Sequence, residues 1–133
     1  MEQKGSQFNN VVRIPTSYEN FFRAWVEMFT PLHELTNREK DILAAFIEAR
    51  FEIATSVKDE TLINNLLESD EIKNKIKQKC GVSNAFFSGI LGKLRKEGIL
   101  NKGVINPLYI PKRFNKENKY VGLLFYFDLK DVI

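Results

Sequence analysis

Apolar residues recur at helical spacing as far as about residue 97 and then give way to short consecutive runs. In TSYENFFRAWVEMF, Thr16 and Glu19 have the spacing of a capping box, in which each side chain satisfies an amide left free at a helix start. The helix so predicted stops near Pro31, and Phe21, Phe22, Trp25, Val26 and Phe29 cover more than one narrow stripe of it. A helix of that kind is buried on two sides, either wholly by its own domain or partly by a second subunit in a homodimer. A second box, Thr36 with Glu39, opens TNREKDILAAFIEARFEI, where Ile42, Leu43, Phe46, Ile47 and Ile53 keep helical spacing. A third helix is predicted over residues 59 to 68 through Leu62, Ile63, Leu66 and Leu67. Ser69 predicts the N-cap of a fourth, ending at Cys80, with Ile72 and Ile76 inward and Lys73, Lys75, Lys77 and Lys79 elsewhere around it.

Residues 80 to 83 then form a tight turn, and Ser83 caps a fifth helix that runs to about Glu97 and stops at Gly98. Beyond it, residues 99 to 101, 104 to 110 and 120 to 129 are β-prone runs rich in Ile, Val, Leu, Tyr and Phe. They are bounded by Lys102-Gly103 and by PKRFNKENK, and Pro107 and Pro111 make the middle run an edge or broken strand. The chain therefore reads as α+β and mostly helical. Residues 1 to 35 form an N-terminal extension with the aromatic helix, and residues 36 to 133 form the main domain.

Composition narrows the class. With 133 residues, 44% hydrophobic and 28% charged, the chain can fill one compact core without staples. A single cysteine, Cys80, excludes an internal disulfide, the N-terminal residues lack a signal-peptide core, and the longest apolar run is too short to span a bilayer. A cytoplasmic protein without membrane association is the expectation.

Charge changes the picture more, because it is uneven. Residues 1 to 69 hold seven Lys or Arg against eleven Asp or Glu, a balance of −4. Residues 70 to 119 hold twelve against four, giving +8, and residues 120 to 133 hold one against two, giving −1. A polyanion meets the +8 segment first, since long-range attraction follows local potential.

Helix, Gly-containing turn, Ser-capped helix, then Gly98-Ile99-Leu100 and a hairpin is the order of a winged helix-turn-helix domain. GVSNAFFSGILGKLRKEGIL resembles the pattern common in winged-helix proteins of bacteria and phages, with Val82, Ser83, Phe87, Ile90, Leu91, Leu94, Gly98, Ile99 and Leu100 on the matching places. The resemblance covers roughly residues 36 to 129, and KGVINPLYIPK is also similar to the wing of some plasmid and phage replication-initiation proteins. It implies a winged-helix fold with a C-terminal β-hairpin wing and an extra N-terminal helix. It also implies a duplex DNA-binding regulator of transcription or replication in a bacterium, phage or plasmid, located in the bacterial or host cytoplasm.

On that resemblance the helix after Ser83 enters the major groove and the hairpin tip meets the DNA backbone or minor groove. The expected contacts on the helix are Ser83, Asn84, Ala85, Phe86, Ser88, Lys93, Arg95 and Lys96. On the flank and wing they are Lys73, Lys77, Lys112, Arg113, Asn115, Lys116 and Lys119. The family pattern buries Phe87 and leaves Phe86 near the edge. Groove-facing positions that carry long basic or amide side chains in many relatives are small or neutral here, which leaves Asn84 and Ser88 for base edges.

Two glycines inside the helix cost roughly 1 kcal/mol each relative to alanine, so something should compensate. Either the small face lets the helix backbone approach DNA while flanking cations supply charge, or Ala85 with Gly89 and Ser88 with Gly92 allow close docking on protein. The second possibility describes a non-enzymatic interaction or assembly component.

Catalysis finds little material. His33 is the single histidine, Cys80 the single cysteine, and no set has metal-ligand spacing, so neither a cofactor nor a metal is expected. Residues 89 to 94 echo a phosphate loop, but the run is too short and lacks the closing Ser or Thr.

Overall fold

The computed structural model describes residues 12 to 112 and 120 to 130. These form an α+β, mostly helical unit with five α-helices and one two-stranded antiparallel hairpin. The first helix, α1 (Tyr18–Glu27), starts one residue later than the Thr16 box predicts. Ser17 is its N-cap, and its Oγ accepts the Asn20 N–H at 3.3 Å.

Helix α2 (Asn37–Ala54) opens on the predicted box: the Glu39 N–H donates to Thr36 Oγ1 at 3.2 Å and the Thr36 N–H to Glu39 Oε1 at 2.8 Å. Its six consecutive residues from Ile42 to Ile47 are all buried, because α2 packs against α1 on one side and two further helices on others. Those are α3 (Glu60–Leu67) and α4 (Asp70–Cys80), capped by Asp59 and Ser69 respectively. Of the four apolar residues expected to bury α3, Ile63 and Leu67 do so, while Leu62 and Leu66 face solvent.

Gly81 ends α4 in the left-handed conformation, φ 65° and ψ 42°, and Ser83 caps α5 (Asn84–Lys96). After Gly98, also at positive φ, come β1 (Leu100–Asn101) and β2 (Val104–Ile105), in register Leu100 to Ile105 and Asn101 to Val104. Lys102 (φ 50°) and Gly103 (φ 82°) make the two-residue turn, whose positive φ values match the twist of a tight hairpin. Pro107 ends the strand, as expected, by starting a 3-10 turn (Pro107–Tyr109).

One expectation is corrected: residues 120 to 130 contain no strand, although their composition favours one. The hairpin turns at Lys102-Gly103, and residues 113 to 119 of the basic loop expected as a wing tip lie outside the described residues.

One apolar cluster unites Phe22 and Trp25 of α1 and Phe29 of the turn after it with Leu43, Phe46, Phe87, Leu94, Ile105 and Tyr109. The core thus runs across the division expected at residues 35 and 36. Phe21, Phe22, Trp25, Val26 and Phe29, the residues expected either to pack on the core or to meet a second subunit, are all buried within this chain. Among the described residues, no helix is long and apolar enough to cross a membrane.

Candidate nucleic-acid interface

Helix α5 buries Phe87, Ile90 and Leu94 and turns Asn84, Ala85, Phe86, Ser88, Gly89, Arg95 and Lys96 to solvent. The adjacent phenylalanines divide as the resemblance implies: Phe87 is 3% exposed and Phe86 47%. Ala85, Ser88, Gly92 and Lys96 follow each other at three- and four-residue steps, with Gly89 four residues after Ala85 and three before Gly92, which places all five along one stripe. Among the described residues nothing crowds Gly89, and a Cβ at Gly92 meets only the Arg95 guanidinium at 4.0 Å. The glycine cost is therefore not repaid by packing among the described residues.

The start of α5 is held firmly. Ser83 Oγ accepts the Phe86 N–H at 3.1 Å, which leaves its hydroxyl hydrogen as a donor. Lys77 donates to Asn84 Oδ1 at 2.7 Å and lies 5.6 Å from the centre of the Phe87 ring. Arg38, on the first turn of α2, donates to the carbonyls of Cys80 and Gly81 at 3.3 and 3.4 Å and so braces the turn between α4 and α5. The first turn of α5 carries no carboxylate, so no acid there opposes a phosphate at the helix N-terminus.

Several expected DNA contacts are engaged within the chain. Lys93 donates to Glu39 Oε1 at 2.9 Å and to the Glu34 carbonyl at 3.3 Å. Burial pushes the Glu39 carboxyl up, but hydrogen bonds from Lys93 and the Thr36 backbone outweigh it and hold the group below its ordinary value. Lys73 pairs with Glu68 at 2.9 Å. Neither lysine is the free flanking cation that the sequence suggests. Lys77 is held by Asn84, whose amide nitrogen is left to read a partner.

Arg95 and Lys96 are exposed and form no ion pair among the described residues. The same holds for Lys102 at the hairpin tip, a residue whose sequence context marks only a turn. Lys112 is exposed and reaches the Pro107 carbonyl at 3.4 Å. It lies beside an open groove of about 570 Å³ between the end of α2, α3 and the hairpin. Arg113, Asn115, Lys116 and Lys119 lie outside the described residues.

The residues considered for catalysis have packing partners. His33 Nδ1 meets the Tyr109 hydroxyl, and the Cys80 thiol approaches the Asp41 carbonyl at 3.8 Å. Burial, with the Asp41 charge, pushes that thiol up, away from thiolate chemistry. Among the described residues no group of three or more His, Cys, Asp or Glu side chains is placed to hold a metal ion.

In comparison with known proteins, no family model, curated protein or solved structure matches this chain. Its function has to be argued from its own residues.

Proposed function

We propose that this chain is a winged helix-turn-helix protein that binds duplex DNA, a transcriptional or replication regulator of a bacterium, phage or plasmid. The observation that carries the reading is the stripe of exposed Ala85, Ser88 and Gly89 with half-buried Gly92 on a capped helix directly after the α4 turn, with Arg95 and Lys96 at its end unpaired among the described residues. Small side chains let the α5 backbone come close to a groove wall or phosphate, and the Ser83 hydroxyl and the carboxylate-free first turn suit a phosphate there. Arg95, Lys96 and Lys102, with the lysines and arginine of residues 112 to 119, supply the attraction. Sequence readout is sparse: Ser88, the Asn84 amide nitrogen and the half-exposed Phe86 ring against a thymine methyl.

Fluorescence anisotropy on an arbitrary duplex tests this reading. Ala85→Glu with Ser88→Glu places two negative charges on the stripe without touching the core, and is expected to weaken binding at least about tenfold, the effect of about 1.4 kcal/mol. Unchanged affinity in a folded variant contradicts it.

The alternative is a non-enzymatic assembly component that docks α5 on protein. It is favoured by the neutral middle of the helix, where Lys93 is already paired with Glu39. It predicts that Gly92→Leu abolishes a complex while duplex binding is absent in the parent.

A further inference from the structure

Residues 120 to 127, YVGLLFYF, carry no charge and have alternating anchors at their start. Val121 and Leu123 pack on the chain's own core, and the Arg13 guanidinium lies 5.6 Å from the centre of the Tyr120 ring. From Leu124 onward the side chains turn outward together: Leu124 is 75% exposed, Tyr126 84% and Phe127 90%. The backbone of residues 120 to 130 makes no backbone hydrogen bond to another described residue. An apolar segment whose N–H and C=O groups are open in this way is a template for strand pairing.

We propose that this segment is a homodimerisation strand, covered by the same segment of a second copy of the chain in antiparallel register. At about 150–250 Å² per aromatic side chain, the exposed parts of Tyr120, Phe125, Tyr126 and Phe127 amount to roughly 450–700 Å², before any leucine is counted. A stable interface needs about 800 Å² from each partner, so the segment supplies most of it. A two-fold axis sets an uncharged stretch opposite itself, matching apolar area with apolar area and each open backbone row with its complement. A bilayer covers the side chains but leaves the open backbone groups unpaired, which disfavours it as the occupant. The proposal is independent of DNA binding.

Light scattering on the full chain, from low to high micromolar concentration, tests it. The parent is expected at twice the mass of one chain. Leu124→Asp with Tyr126→Asp should give the single-chain mass with an unchanged far-ultraviolet circular dichroism spectrum. In a Cys80→Ser background, single cysteines placed in turn at 124, 125 and 126 should give a disulfide-linked dimer most readily at the position nearest the axis. A parent of single-chain mass throughout overturns the proposal, as does a dimer indifferent to the aspartates or equal crosslinking at every site including Leu62→Cys on α3. Single-chain mass in solution with binding to zwitterionic vesicles overturns it in favour of a membrane surface.

Discussion

The indole N–H of Trp25 donates to the carbonyl of Tyr109 at 2.8 Å, joining α1 to the turn after the hairpin across 84 positions of sequence. Phe29 stacks at a tilt on the Tyr109 ring with centroids 4.5 Å apart, and Tyr109 is only 1% exposed. This contact makes the N-terminal helix part of the core. Trp25→Phe keeps an aromatic ring but leaves a buried carbonyl without its donor, and should cost about 1–3 kcal/mol in urea denaturation.

Glycines on this chain should respond in opposite directions. A Cβ on Gly103, at φ 82°, falls 2.1 Å from the Asn64 carbonyl oxygen, so the hairpin tip must move off α3. Gly103→Ala is expected to destabilise by about 2–3 kcal/mol. Gly89 has open space around it, and Gly89→Ala should stabilise by about 0.5–1 kcal/mol. Thermal denaturation of the two variants reads both signs.

Stability should fall at both ends of the pH scale for identifiable reasons. The Arg23 hydrogen bond, helped by Lys40, draws Glu27 down from 4.5 to about 2. Between those values the unfolded chain takes up a proton that the folded one refuses, so stability present above pH 4.5 is lost as pH falls towards 2. Burial, then the Glu97 charge, pushes Tyr109 from 10 up to about 12, so stability present below pH 10 is lost as pH rises towards 12. Urea midpoints across pH should show both limbs, with Glu27→Gln flattening the acid one.

Features legible in the sequence are those set by neighbours in the chain. Thr36 with Glu39, Ser69, Ser83 and Gly98 mark helix ends because a cap reaches only two or three residues, and the choice of Phe87 over Phe86 comes with the winged-helix resemblance, since helical spacing to Ile90 and Leu94 admits either ring. Thr16 shows the limit of that reading, since the adjacent Ser17 has a hydroxyl that caps equally well, and it is Ser17 that accepts the Asn20 amide. Contacts made at long range were not legible. Lys93 and Glu39 are 54 positions apart, so a lysine that resembles a DNA contact serves as a tie between α5 and α2. Residues 120 to 129 have strand composition, but a strand also needs an adjacent edge, which composition does not report.

The most direct measurement is the affinity for duplex DNA as a function of salt, for the parent, Lys96→Gln and Lys93→Gln. With the exposed cations on phosphates, the logarithm of affinity should fall linearly with the logarithm of salt concentration, with a slope of roughly −3 to −5. Lys96→Gln should make that slope shallower by about 1 unit. Lys93→Gln should leave it unchanged while lowering stability by about 0.5–1 kcal/mol, because it breaks the Glu39 pair. Absence of duplex binding at low salt, or affinity indifferent to salt and to Lys96, contradicts the assignment.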